Sequence, residues 1–226
     1  MRAIVTVLAT TLLSLTACTS TPADAAPGAA SQPSSRDAYA ALPNVPPGAQ
    51  EAIFAGGCFW CMESSFEEID GVLAVTSGYI GGHVKRPTYM QVSSRTSGHA
   101  EAIHVVFDPK KVTYKKLLWH FWRNVDPTTA ERQFCDAGDE YRPEIFTLDD
   151  KQRKAAEASK QEVIKTKTFK GDVVVKITKA SRFWPAEVYH QDFYKKNPVR
   201  YWSYRRGCGR DARLRQLWGP EAGHHD

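Results

Sequence analysis

The sequence has few cysteines, and they lack the spacing of a structural metal site. Of the five, Cys58 and Cys61 form a C-x-x-C pair, whereas Cys135 and Cys208 are single and far apart. A structural zinc site would require a second such pair or paired histidines. Four histidines in the same part of the chain show no convergent spacing: His83, His99, His104 and His190. This pattern disfavours zinc and predicts no metal site.

The sequence also lacks an internal repeat and a second apolar segment long enough to span a membrane. Its N-terminal apolar run, residues 3–13, follows the positive charge of Arg2 and precedes Leu-Thr-Ala-Cys at residues 15–18. This order is typical of a secretory signal peptide, and the four-residue stretch resembles the lipobox of bacterial lipoproteins. We therefore expect residues 1–17 to be a signal peptide and Cys18 to carry lipid. An ordinary secretory signal with a chance cysteine is the alternative.

Residues 18–50 lack the apolar content of a folded core. After Cys18 they are rich in Ala, Pro, Ser and Thr, a composition typical of a flexible tether. The sequence thus predicts one folded domain at residues 51–226, exported to the periplasm and lipid-anchored to the cell envelope. Thr19 and Ser20 follow Cys18 with no Asp, which by analogy with lipoprotein sorting favours the outer membrane.

Acidic residues are scarce near the C-terminal end. The chain carries a formal net charge of +5, and between residues 195 and 215 there are eight Lys and Arg but one Asp. A nucleic-acid surface would show such a basic stretch, but an exported domain has little access to nucleic acid. We expect a solvated basic surface near an anionic envelope, no nucleic-acid partner, and a monomer.

Apolar periodicity predicts alternating strands and helices. Strands are predicted at residues 52–55, 72–80, 103–107, 144–148 and 173–177, and helices at residues 58–69, 114–125, 149–165 and 187–195. From Asn197 onward the pattern is irregular. Hairpin-like and crossover spacings are mixed, which favours an α+β fold: a two-layer α/β sandwich with a mixed sheet and a long irregular C-terminal tail.

Cys58 lies where a predicted strand ends, two glycines turn the chain and a predicted helix begins. At such a position unpaired backbone N–H groups and the positive end of the helix dipole point at the sulfur. This location is expected to lower the pKa of the thiol and to favour a nucleophilic thiolate. A buried, inert cysteine is the alternative, although such a residue rarely follows a Gly-Gly turn.

Three functional classes compete for the C-x-x-C pair. Zinc binding lacks further ligands, and in thioredoxin-like exchange enzymes the bulky Trp precedes the pair rather than filling it. The third class is a thiol enzyme that acts on a small apolar group. In that class Phe59 and Trp60 would be the walls of a pocket beside Cys58.

The stretch GGCFWCMESSF resembles the signature of the A-type peptide methionine sulfoxide reductases. The similarity continues in order through SGYIGG, PTY, SGHAEAI, VFDP, LLWHFW, DPTT, CDAGDEYR, IFTLDD and YHQDFYKKNP, and it covers residues 51–218. The resemblance implies reduction of methionine-S-sulfoxide, free or in proteins, by a thioredoxin-like dithiol, with no metal and no organic cofactor. In an exported enzyme this activity would repair oxidised envelope proteins.

The resemblance also implies roles for the residues that match the family motifs. Cys58 is the expected nucleophile, and Phe59 and Trp60 are expected to enclose the methyl group of the substrate. Glu101 is the expected donor of a proton to the sulfoxide oxygen. Hydrogen bonds around that oxygen are expected from three further residues: Tyr89, Asp136 and Tyr141.

The chemistry of a sulfoxide supports a proton donor independently, because its oxygen is a poor leaving group for an attacking thiolate. Glu101 has the same strand parity as Ile103, Val105 and Phe107 and therefore shares a face with large apolar residues. We expect this environment to raise the pKa of the Glu101 carboxyl. A solvated carboxylate at a strand end is the alternative.

The sequence does not decide which thiol resolves the expected sulfenic acid. Many family members have Gly at the position of Cys61 and carry their recycling cysteines in a C-terminal tail. We rank Cys61 first because residues three apart share one face of a helix, then Cys208, then Cys135. The alternative function is a C-x-x-C redox or metal-binding lipoprotein without sulfoxide chemistry.

Overall fold

A mixed β-sheet is the centre of the computed structural model, which describes residues 39–223. Within these residues there are eight strands: β1 (Gln50–Gly56), β2 (Val72–Ile80), β3 (Ala100–Phe107), β4 (Arg132–Gln133), β5 (Asp136–Ala137), β6 (Pro143–Thr147), β7 (Lys176–Lys179) and β8 (Trp184–Pro185). Six of them form one sheet in the order β7-β6-β1-β3-β2-β8, and β4 pairs with β5. β6 and β7 run parallel, while the other neighbours in the large sheet are antiparallel.

Seven α-helices occur in the same described residues: α1 (Phe59–Glu67), α2 (Tyr89–Ser93), α3 (Tyr114–Arg123), α4 (Asp150–Thr166), α5 (Phe193–Lys196), α6 (Pro198–Gly207) and α7 (Arg210–Trp218). The starts of α3 and α4 follow from capping side chains, which accept hydrogen bonds from otherwise unpaired N–H groups of the first turn. Thr113 accepts from Lys116 N at 3.2 Å, and Asp149 accepts from Gln152 N at 2.7 Å. Among the described residues no helix is both long and apolar enough to cross a membrane.

The main core lies between one face of the sheet and the helices. The ring of Phe54 in β1 packs 5.2 Å from that of Phe66 in α1 and 5.4 Å from that of Phe121 in α3. On the opposite face a smaller cluster includes Ile53, with Phe183 packed in it. The predicted α+β fold with a mixed sheet is confirmed.

The predicted irregular C-terminal tail is wrong, because α6 and α7 occupy most of it. Pro198 stands in the first turn of α6, where its missing N–H costs nothing. The side chains that the two helices bury include Tyr201, Arg205 and Arg210. α7 also buries Leu214 and Leu217, but the two buried arginines interrupt the apolar period of these faces in the sequence.

The helix predicted at residues 187–195 is interrupted. It forms a short 3-10 turn at Val188–His190 and then α5, with Asp192 between them at a left-handed φ of +53°. A single α-helix cannot contain that backbone conformation. The strand predicted at residues 173–177 is also shifted, since β7 spans Lys176–Lys179.

The predicted signal peptide, Cys18 and most of the predicted tether lie outside the described residues. The last part of the tether segment contacts the domain. Tyr39 forms an isolated β-bridge with Glu187, and Ala40 N donates to Ala186 O at 3.0 Å. Ordered contacts with the domain therefore begin before Glu51.

Gly57 turns the chain from β1 into α1 and so fixes the position of Cys58. Its φ of +82° lies in the region that favours glycine. A Cβ at this residue would lie 2.5 Å from Cβ of Gln133. Gln133 cannot easily move, because its side-chain amide both accepts from Asp126 N and donates to Asp126 O at 2.8 Å. Conformation and space therefore both require glycine here.

We predict that Gly57→Ala destabilises the protein by more than the ~1–2 kcal/mol that a left-handed conformation costs an alanine. Gly48→Ala is the matched control, because Gly48 has a similar φ of +85° but nothing within 4 Å of an added Cβ. Urea unfolding followed by tryptophan fluorescence measures both losses. Equal losses of stability in the two variants would show that Gln133 moves to accommodate the added Cβ, so that its close approach to Gly57 does not contribute.

Candidate active site

Cys58 and Cys61 lie together at the start of α1. Cys58 is the residue before the helix, and its carbonyl accepts from Cys61 N at 3.1 Å and Met62 N at 3.3 Å. Both thiols are free and buried. They pack in one cluster with Phe193 of α5 and Tyr201 of α6, so the C-terminal helices cover the pair.

The expectation that the position of Cys58 lowers its pKa is wrong. Burial raises the pKa of Cys58 well above its ordinary value, and the neighbouring Cys61 raises it further, against a hydrogen bond with Tyr204. Cys58 is only 5% exposed, and this desolvation outweighs the favourable end of the helix. The sequence shows the helix start but not the helices that later cover it.

Cys61 carries the more acidic thiol of the pair. Its pKa is lowered to about 6, first because the Cys58 thiol donates a hydrogen bond to it and then because of the charges of Arg210 and Arg205. Both arginines are almost fully buried, where a charge acts more strongly than in water. The two thiols therefore share a proton through their hydrogen bond, and the nearby arginines favour a thiolate on the pair.

Glu101 is buried beside these thiols. The register of β2 and β3 sets it opposite Tyr79, and its Oε2 accepts a hydrogen bond from Phe59 N at 3.0 Å. Burial raises the pKa of Glu101 to about 8, while the bond from Phe59 N acts in the opposite direction. The carboxyl group is therefore mostly protonated at neutral pH, in line with its predicted apolar environment.

The two aromatic residues of the C-x-x-C pair occupy different depths. Phe59 is buried, with its ring 5.9 Å from that of Tyr79 and 5.0 Å from that of His190. Trp60 is only partly buried and stacks on Phe193 at 3.7 Å between ring centroids. Together they form an apolar wall beside Cys58, with Trp60 on the outer side.

The other predicted site residues gather around the same space. Burial raises the pKa of Tyr89 to about 12 and that of Tyr141 further, and the charge of Glu101 is the next cause for both. Both hydroxyl groups therefore keep their protons at neutral pH. Asp136 accepts a hydrogen bond from Tyr204, and burial raises the pKa of its carboxyl.

Two residues of this site, His190 and Tyr204, carry no signal in the sequence that marks them as site residues. His190 was considered only as a metal ligand, yet its Nδ1 accepts from Trp60 Nε1 at 3.2 Å and its ring lies 4.6 Å from that of Tyr89. Burial lowers the pKa of His190 to about 4, so the ring is neutral. Tyr204 lies in the segment predicted to be irregular, and no local pattern marks it.

Cys135 and Cys208 form a disulfide across 73 residues of sequence. From the sequence both were predicted only as alternative resolving thiols, and nothing in it indicates that they pair with each other. In this state Cys58 and Cys61 remain the free thiols of the described residues. The bonded pair is also unavailable to complete a four-thiolate metal site.

A buried pair of free thiols beside a protonated carboxyl group and two protonated tyrosines defines a thiol-dependent oxidoreductase. Such a site can attack an electrophilic sulfur and protonate the group that leaves it.

Comparison with known proteins agrees with this class. The family model of the peptide methionine sulfoxide reductases matches residues 50–222. A peptide methionine sulfoxide reductase, MsrA 2, of Caulobacter vibrioides is 51% identical over 173 residues, which cover 76% of this chain and 87% of the relative. The MsrA of Bacillus subtilis is 51% identical over 168 residues, which cover 74% of this chain and 95% of the relative.

Solved structures show the same fold. The reduced form of Mxr1 from Saccharomyces cerevisiae matches with a TM-score of 0.64 and 28% identity, over 68% of this chain and 88% of that one. Methionine sulfoxide reductase A of Corynebacterium diphtheriae matches with a TM-score of 0.62 and 29% identity, over 68% of this chain and 77% of that one. The chain belongs to the A-type peptide methionine sulfoxide reductase family and is an oxidoreductase that reduces methionine sulfoxide in peptides. A C-x-x-C lipoprotein without sulfoxide chemistry does not fit this membership.

Proposed function

We propose that the enzyme reduces methionine-S-sulfoxide, free or in proteins, through a cysteine sulfenic acid and a disulfide, and that it repairs oxidised proteins of the cell envelope. The observation that best supports this proposal is the buried carboxyl group of Glu101. It is bonded to Phe59 N and has a pKa of about 8, so it offers a proton beside the thiol pair at neutral pH.

The first chemical step uses both thiols and the carboxyl group. As the substrate sulfur approaches, Cys61 takes the proton of Cys58, with which it already shares a hydrogen bond. The Cys58 thiolate then bonds to the sulfoxide sulfur, and Glu101 protonates the oxygen. Transfer of the hydroxyl group leaves methionine, Cys58 as sulfenic acid and Glu101 as carboxylate.

Substrate recognition would use the apolar wall and the polar groups opposite it. Phe59 and Trp60 would enclose the methyl group, since Trp60 keeps part of its surface open to an incoming side chain. Tyr89 and Tyr141 keep their phenolic protons and can donate hydrogen bonds to the sulfoxide oxygen. Asp136, bonded to Tyr204, would complete the polar side.

In the second step Cys61 attacks the sulfur of the Cys58 sulfenic acid. A disulfide forms, and the hydroxyl group leaves as water with the proton that Cys61 had taken. Cys208 and Cys135, the second and third choices, are bonded to each other in this structure and would first need reduction. A thioredoxin-like dithiol is the reductant that the family resemblance implies.

Export and lipid anchoring form a separate part of the proposal. They rest on Arg2, the apolar run at residues 3–13 and the Leu-Thr-Ala-Cys stretch that ends at Cys18. A lipidated Cys18 followed by a polar tether would hold the enzyme at the periplasmic face of the outer membrane, where oxidised envelope proteins are accessible.

Single-turnover reactions test the thiol roles. Cys58→Ser should abolish reduction of a peptide methionine sulfoxide even with excess dithiothreitol, because the first bond to sulfur is lost. Cys61→Ser, given one equivalent of substrate and no reductant, should release one methionine per enzyme and accumulate a sulfenic acid that dimedone traps. Cys208→Ser is the control and should accumulate none. Disulfide formation in Cys61→Ser at the wild-type rate would assign the resolving role elsewhere.

Glu101→Gln should slow sulfenic acid formation by ~10²-fold or more with little change in substrate binding. The wild-type rate should fall as pH rises through about 8, because Glu101 then loses the proton that it donates. Glu63→Gln is the matched control, because burial also raises the pKa of Glu63 to about 8, and this variant should keep the alkaline decline. Stopped-flow rates against pH measure both. If Glu101→Gln changed only the Michaelis constant, the proton-donor role would be wrong.

Cys18→Ala tests the anchor in cells that express the full chain. The variant should remain as uncleaved precursor or appear in the soluble fraction, because lipid attachment at Cys18 is lost. Membrane fractionation and the intact mass of the purified protein report the result. Fractionation and mass equal to those of the wild type would exclude lipidation at Cys18.

A further inference from the structure

Tyr39 lies at the N-terminal edge of the described residues and contacts the segment that leads into Tyr89. Its hydroxyl group donates a hydrogen bond to Arg86 O at 3.0 Å, with Pro87 O at 3.4 Å as a second acceptor. The guanidinium group of Arg86 lies over its ring, 5.3 Å from the ring centre. Tyr39 precedes residue 50, where the match to the family begins. The family match therefore assigns no role to this tyrosine.

The turn at Arg86 has a backbone conformation that needs such support. Its φ of +51° lies in the left-handed region, which is unfavourable for a residue with a Cβ. Tyr39 contacts both the carbonyl group and the side chain of Arg86, and these contacts stabilise the turn. The chain enters α2 at Tyr89, three residues later. The position of α2 therefore depends on a turn that Tyr39 supports.

Glu187 gives Tyr89 a second support. The backbone N–H of Tyr89 donates to Oε1 of the buried Glu187 at 2.8 Å, and Oε2 of the same carboxyl group accepts from Tyr79 OH at 2.8 Å. Tyr39 also forms an isolated β-bridge with Glu187. It therefore contacts two supports of Tyr89, the turn at Arg86 and the backbone of Glu187.

We propose that Tyr39 is a positioning residue for Tyr89, so that the segment before the family domain helps to build the polar side of the substrate site. The inference rests on the proposed function, in which the Tyr89 hydroxyl group donates to the sulfoxide oxygen. Tyr39 acts through the backbone that carries Tyr89 rather than on the substrate. A small displacement of that backbone weakens a directional hydrogen bond and misplaces the reacting group.

Kinetics of the full chain test this role, with dithiothreitol as reductant. Tyr39→Ala should lower kcat/KM for a peptide methionine sulfoxide by about tenfold, the loss expected when one hydrogen bond to the substrate is lost. Tyr89→Phe should cause a loss of the same size, divided in the same way between kcat and KM. Leu42→Ala is the matched control, since Leu42 is 43% exposed in the same segment, and it should keep the wild-type value. Equal values in Tyr39→Ala and Leu42→Ala would overturn the inference.

A double variant separates positioning from a general loss of structure. If Tyr39 acts through the Tyr89 hydroxyl group, adding Tyr39→Ala to Tyr89→Phe should lower kcat/KM by no more than about twofold further. A further loss of about tenfold would show that Tyr39 acts elsewhere and would overturn the inference. Wild-type activity of Tyr89→Phe would instead contradict the proposed role of Tyr89. Tyr39→Phe keeps the ring beneath Arg86 and should recover part of the activity that Tyr39→Ala loses.

Discussion

The hydrogen bond from Phe59 N to the buried carboxyl group of Glu101 ties the first turn of α1 to the central strand β3. It brings an acid beside the thiol pair and satisfies a backbone donor that the helix itself leaves unpaired. Two opposing effects decide the protonation of Glu101: burial disfavours the carboxylate, and the hydrogen bond from Phe59 N favours it. Burial dominates, and the resulting pKa of about 8 leaves a proton available at neutral pH. A more solvated carboxyl group in the same place would have lost that proton.

The same competition between burial and stabilising contacts gives the two thiols different pKa values. Its outcome depends on the C-terminal helices α6 and α7. Desolvation raises the pKa of Cys58, whereas for Cys61 it is outweighed by the hydrogen bond with Cys58 and by the charges of Arg210 and Arg205. Arg205 and Arg210, carried by α6 and α7, supply those charges from buried positions. Arg210 Nη2 is held by Gly56 O and Asn124 O, so its charge is fixed beside the turn that precedes Cys58. The C-terminal helices are thus part of the site rather than an appendage to it.

The elements with apolar faces could be predicted from the sequence, and those with polar buried faces could not. β1, β3, α1 and α3 follow from apolar spacing, and strand parity alone indicated the apolar surroundings of Glu101. By contrast, α6 buries Tyr201 and Arg205, and α7 buries Arg210 on the same face as Leu214 and Leu217, so the apolar pattern is interrupted by residues that resemble solvated ones in a sequence. The expected lowering of the pKa of Cys58 is wrong for the same reason, since the sequence does not predict the helices that bury this residue. The Cys135–Cys208 pairing depends on that packing and leaves no local signal.

The Cys135–Cys208 disulfide and the hydrogen bond from Tyr204 to Asp136 are among the links that hold α6 against the segment that contains Asp136. Tyr204 and Cys208 are one helical turn apart, so the links act on one face of α6. For a separation of 73 residues, loop closure alone makes the disulfide worth about 4 kcal/mol. A hydrogen bond to a charged group contributes about 1.5–3 kcal/mol. Reduction of the disulfide would remove this constraint on the unfolded chain and lower the stability of the protein, while the hydrogen bond from Tyr204 to Asp136 could still form.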